Sequence, residues 1–142
     1  YFQFASDWKN TTTGGPGHGM INRTSPFEEW YPYLANYLLG NNLEVGDLIY
    51  ETSSSNSTVI SALSWKNSNY LIVLLNHKVK DRSTITKIQF SNLEIDPQTE
   101  TKICSINSLK NEIQTLTTTW SNASLITSNG YSVILLSTSL NP

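Results

Sequence analysis

The chain has 142 residues, 38% of them hydrophobic, and a formal net charge of -2, which suits one globular domain with a modest core. Charged residues are only 14%, so neutral groups must carry solubility, and Ser, Thr and Asn supply about a third of the chain. No basic excess favours a nucleic-acid partner, and no stretch reads as a membrane span or a signal peptide.

Tyr1 to Trp8 read as a β-strand ending in an Asp7-Trp8 pair. A lone strand ahead of a helix needs neighbours from another chain or from upstream sequence. Tyr1-Phe2-Gln3 also matches the end of a common protease-cleavage tag, but the strand pattern continues unbroken through Phe4 to Trp8, which favours native sequence. Lys9 to Thr24 form a loop around Gly14-Gly15-Pro16-Gly17-His18-Gly19, which cannot make regular structure and lacks the lysine and spacing of a phosphate loop.

Ser25 to Gly40 carry helical signals. Ser25 caps, Pro26 suits the first position, and Glu28 completes a capping box. Phe27, Trp30, Tyr31, Leu34, Tyr37 and Leu38 recur at helical spacing. Pro32 predicts a kink or a split into two short helices, and Gly40 a stop.

From Gly46 the period becomes that of strands, predicted near 46–52, 58–65, 70–76, 84–90, 99–106, 113–118, 123–127 and 131–138. Asn67-Ser68-Asn69 and Asn129-Gly130 are the best hairpin turns. Leu71-Ile72-Val73-Leu74-Leu75 predicts a strand covered on both faces. The fold class is therefore mainly β: an antiparallel eight-stranded β-sandwich preceded by a strand, a Gly-rich loop and a short kinked helix. Leu63, Leu71, Val73, Leu75, Ile88, Ile103, Val133 and Leu135 are its predicted core.

Cys104, the one cysteine, lies in an apolar strand without a basic neighbour and reads as a small core residue. His77 reads as a turn residue after the most apolar strand, and Trp65 and Trp120 as core packing. The two histidines have no ligand-like spacing, so neither a metal nor a cofactor is expected. Asn10, Asn22, Asn56 and Asn122 head four glycosylation sequons in loops or at element edges, which with the low charge suggests an extracellular protein.

This order of elements resembles the tail of the clan-A glycoside hydrolases, retaining enzymes built on a (β/α)8 barrel. Tyr1 to Trp8 look like barrel strand eight, and Ser25 to Gly40 like the last barrel helix. Val45 to Tyr50, Val59 to Leu63 and Tyr70 to Lys78 look like the opening strands of a C-terminal sandwich. The resemblance implies a boundary between residues 1–43 and 44–142. It also implies a polysaccharide substrate and a companion polypeptide carrying the rest of the barrel.

Such enzymes need two carboxylates about 5–5.5 Å apart, and the family places them on barrel strands four and seven, which this chain lacks. Glu28 and Glu29 suit the helix N-terminus and the other acids are scattered, so no residue is assigned as catalytic and the chain alone is expected to be inactive. The resemblance implies substrate contacts instead. Trp8 would stand at the catalytic rim of the barrel, where its indole can stack on a sugar or simply pack. His18, in the Gly-rich loop, would donate to a sugar hydroxyl or lie free on the surface.

Two other readings fit. An extracellular fibre or surface-layer subunit would donate Tyr1 to Trp8 to an identical neighbour by strand addition. A carbohydrate-binding sandwich would need an exposed aromatic platform.

Overall fold

The computed structural model describes residues 5–6, 21–22, 31–107 and 110–140. The described elements are β1 (Ala5–Ser6), β2 (Ile21–Asn22), α1 (Tyr31–Gly40), β3 (Leu48–Tyr50), β4 (Ile60–Lys66), β5 (Tyr70–His77) and β6 (Ser83–Lys87). They continue with β7 (Glu100–Asn107), β8 (Lys110–Thr119), α2 (Trp120–Ala123), β9 (Leu125–Asn129) and β10 (Ser132–Ser139).

The predicted sandwich is present, with eight strands from β3 to β10 in two unequal antiparallel sheets. One has six strands in the order β3-β4-β5-β10-β7-β8, and the other pairs β6 with β9. β5 and β10 hold the middle of the large sheet and are its most apolar strands, because both of their faces are covered.

Register divides those side chains between two cores. Val73 lies opposite Leu136, and Leu75 opposite Ile134. These four pack with Val59, Ile60, Ala123 and Ile126 between the sheets. The alternate residues face the other way. Ile72 and Leu135 join Trp65, Leu39 and Leu43 in one cluster, while Leu34 and Leu38 meet Ile106 and Val133 in another. The helix α1 therefore closes the outer face of the large sheet, giving layers of helix, six strands and two strands. Each such side chain contributes roughly 1.5–3 kcal/mol when fully buried.

Of the predicted core, Leu71, Val73, Leu75, Val133 and Leu135 are buried, and Leu63, Ile88 and Ile103 pack half-buried against the clusters. Cys104 is also half-buried, with its Sγ 3.7 Å from Thr115 Oγ1.

Local chemistry accounts for several boundaries. Pro32 is the second residue of the described helix. The predicted capping box lies outside the described residues. In the β4–β5 hairpin, Asn67 Oδ1 accepts from the amides of Asn69 at 2.9 Å and Tyr70 at 2.8 Å.

Three expectations are corrected. Asn129-Gly130 does not close a hairpin: β9 pairs with β6 while β10 pairs with β5 and β7, so this turn carries the chain from one sheet to the other. The predicted strand from Ala123 begins instead at Leu125, after the helical turn α2. Trp120 N and Ser121 N donate to Thr99 O and Pro97 O, tertiary partners that local pattern does not reveal. Third, His77 is not a turn residue but the buried last residue of β5.

Ala5–Ser6 pairs in parallel with Ile21–Asn22 and joins neither sheet of the sandwich. Its partner lies inside the stretch predicted as loop.

Candidate functional site

The acidic residues make no catalytic constellation among the described residues. Glu44, Glu51, Asp81, Glu94, Asp96, Glu100 and Glu112 are exposed. Two acids serve local turns: Asp47 Oδ2 accepts from Glu44 N at 3.0 Å, and Asp96 Oδ1 from Gln98 N at 2.8 Å. No group of three or more His, Cys, Asp or Glu that could hold a metal occurs among the described residues.

Trp8, His18 and Asn10 lie outside the described residues, and Asn22 lies in β2. Asn56 and Asn122 are exposed. Asn56 sits in the turn before β4, where its Oδ1 accepts from Thr58 Oγ1 at 2.7 Å, so acceptor amide and sequon hydroxyl are already in contact. Asn122 sits in α2, its Nδ2 3.2 Å from Thr119 Oγ1. The structure does not bring these two sequons together with any other predicted site residue.

Both sandwich tryptophans pack as expected and provide no sugar platform. Trp65 is fully buried, and its indole Nε1 donates to Asn42 O at 2.6 Å. Trp120 is half-buried against Phe90, with ring centroids 5.6 Å apart.

His77 is the polar centre that local reading missed. Its Nδ1 bonds Gly130 O and its Nε2 lies 3.0 Å from Thr84 Oγ1, so one imidazole joins β5, β6 and the turn between β9 and β10. A carbonyl only accepts, so Nδ1 carries a proton. The signal was present: Leu71, Val73, Leu75 and His77 share one face of a strand, and that face is the inter-sheet core.

Beside this clasp the two sheets diverge into an open groove of about 1020 Å3. Tyr50, Ser64 and Val73 of the large sheet form one wall, and Thr84, Thr86 and Phe90 stand on the other side. Its charged lining residues are Glu51, Arg82 and Lys87.

No family model matches the chain, and no curated protein sequence matches it significantly. Among solved structures it is similar to CelM2, a bifunctional glucanase-xylanase protein from a metagenome library, with 26% identity and a TM-score of 0.57. The match covers 70% of this chain and 20% of that one, so the chain spans about a fifth of the length of the structure it matches. This β-rich unit is thus similar in fold and sequence to a portion of a glycoside hydrolase.

Proposed function

We propose that residues 1–142 are the C-terminal part of a secreted, retaining clan-A glycoside hydrolase that acts on a polysaccharide. Residues 1–43 supply the last strand, loop and helix of a (β/α)8 barrel, and residues 44–142 form the sandwich that packs on that barrel and stabilises it. The likeness to a segment of a glucanase-xylanase carries this reading and suggests a glucan or xylan as substrate class. The order strand, Gly-rich loop, helix, sandwich supports it.

The packing of α1 gives the proposal its mechanics. Leu34 and Leu38 are spent on the sandwich, whereas Tyr37 on the same helix is 51% exposed and stacks with Tyr33 at 6.3 Å. In this scheme Tyr37 faces the barrel neighbours, while Tyr33 packs beside Leu34 and Leu38. A helix gripped from both sides holds barrel and sandwich in fixed relation. The catalytic acids come from barrel strands outside this chain. In this scheme Trp8 stacks on a sugar ring, His18 donates to a sugar hydroxyl, and Asn10, Asn22, Asn56 and Asn122 accept glycans.

Intact mass of the native product under denaturing conditions tests the reading. A single polypeptide, or a companion chain, long enough to complete a barrel is expected. A ladder of identical subunits of this chain would overturn it.

A further inference from the structure

The two sheets differ by four strands, and the groove described above lies beside β6. That strand pairs with β9 on one side and has no second neighbour among the described residues. Backbone bonds at either end fix which way its groups point. Gly130 N donates to Arg82 O at 3.2 Å, and Ile88 N donates to Ser124 O at 2.8 Å. Within this register Thr84 and Thr86 share the orientation of Arg82 and Ile88 toward β9. Antiparallel alternation then turns the N–H and C=O groups of Ser83, Ile85 and Lys87 the opposite way.

Ile85 and Lys87 line the groove of about 1020 Å3 described above. The exposed apolar side chains bordering it are Tyr50 at 40%, Ile85 at 68% and Leu93 at 41%. Thr86 Oγ1, also in its lining, is buried without a hydrogen-bond partner among the described residues.

We infer that this groove seats an added β-strand, a third strand of the small sheet, contributed by a part of the same polypeptide outside residues 1–142. The inference rests on the reading of the chain as part of a longer glycosidase. A row of three donors and three acceptors at the strand repeat matches another extended backbone. A sugar or small ligand offers polar groups without that repeat. The supply of chain is ample, since the matched structure is about five times longer than the portion this chain covers. The seated strand alternates: apolar side chains face Tyr50 and Val73, and polar ones face solvent beside Ile85. An unpaired edge beside apolar side chains invites aggregation, and filling it removes that hazard.

The test is residue-resolved amide hydrogen exchange on the full-length gene product. The amides of Ser83, Ile85 and Lys87 are expected to exchange as slowly as those of Thr84 and Thr86, about 100-fold or more below exposed loop amides. Exchange of the three at loop rates would overturn the inference. A photo-crosslinking residue at position 85 then identifies the occupant. Links to the same polypeptide outside residues 1–142 support the inference. Links to Tyr1–Trp8, to a second copy, or to nothing overturn it. A full-length product without a barrel would refute the proposed function, while amide protection and crosslinks judge the strand independently.

Discussion

Trp65 and Asn42 are joined across the junction of helix and sandwich, the indole N–H of one donating to the carbonyl of the other at 2.6 Å. The bond ties the large sheet to the residues that follow α1, where Leu39 and Leu43 pack against the cluster of Trp65, Ile72 and Leu135. Replacing Trp65 with Phe keeps an aromatic body, removes the donor and leaves a void. The expected loss is about 2–4 kcal/mol of unfolding free energy, from an unpaired carbonyl plus missing volume. Urea denaturation of wild type and Trp65→Phe measures it.

The turn between β9 and β10 depends on glycine. Gly130 has φ +59°, and a Cβ there would meet Lys80 O at 2.9 Å. Gly130→Ala is expected to destabilise by more than about 1 kcal/mol. Gly40 has open space around it and no left-handed backbone. Gly40→Ala is therefore expected to be neutral or stabilising by up to about 1 kcal/mol. Thermal melts of the two variants should shift in opposite directions or leave Gly40→Ala unchanged.

His77 holds the sheets together through polar contacts at the end of an apolar row. His77→Leu preserves hydrophobic bulk but removes the imidazole from Thr84 Oγ1 and leaves Gly130 O with only the long bond from Ser132 Oγ at 3.4 Å. A loss of about 1–3 kcal/mol is expected. Amide exchange in β6 and β9 should rise more than in β7 and β8, because the small sheet is what the clasp secures. A uniform rise across both sheets would show that the clasp has no local role.

Asn56 and Asn122 are the two sequon asparagines whose exposure the structure describes. Expression in a glycosylating secretory host should add glycan mass at both, removable by an amide-cleaving glycosidase. Asn56→Gln and Asn122→Gln should each abolish one increment. Unmodified asparagine at both positions would count against the secreted reading.

Much of the sandwich was legible because its signals are local. The short apolar runs of β5 and β10 and the Asn67 turn specify strand and hairpin without help from distant residues. What escaped depended on partners far away in sequence. Gly130 favours a tight turn whichever sheet β10 joins, so its crossover could not be separated from a hairpin. The helical turn at Trp120 is held by Thr99 O and Pro97 O, partners that the local turn signal at Ser121-Asn122 does not reveal. His77 shares the core-facing side of β5 with Leu71, Val73 and Leu75, but its polar partners Thr84 and Gly130 lie far off in sequence. Site chemistry was less legible still, since the proposal puts its carboxylates on strands outside this chain.

The most direct measurement is turnover of β-glucan and xylan by the full-length gene product, with NMR following the anomeric configuration of the first product, beside the 142-residue chain assayed alone. Turnover with retention is expected from the full-length product, and none from the chain. Turnover by the chain alone, lost when one of its own acids is replaced, would contradict the proposal. So would a full-length product that cleaves with inversion or cleaves no polysaccharide.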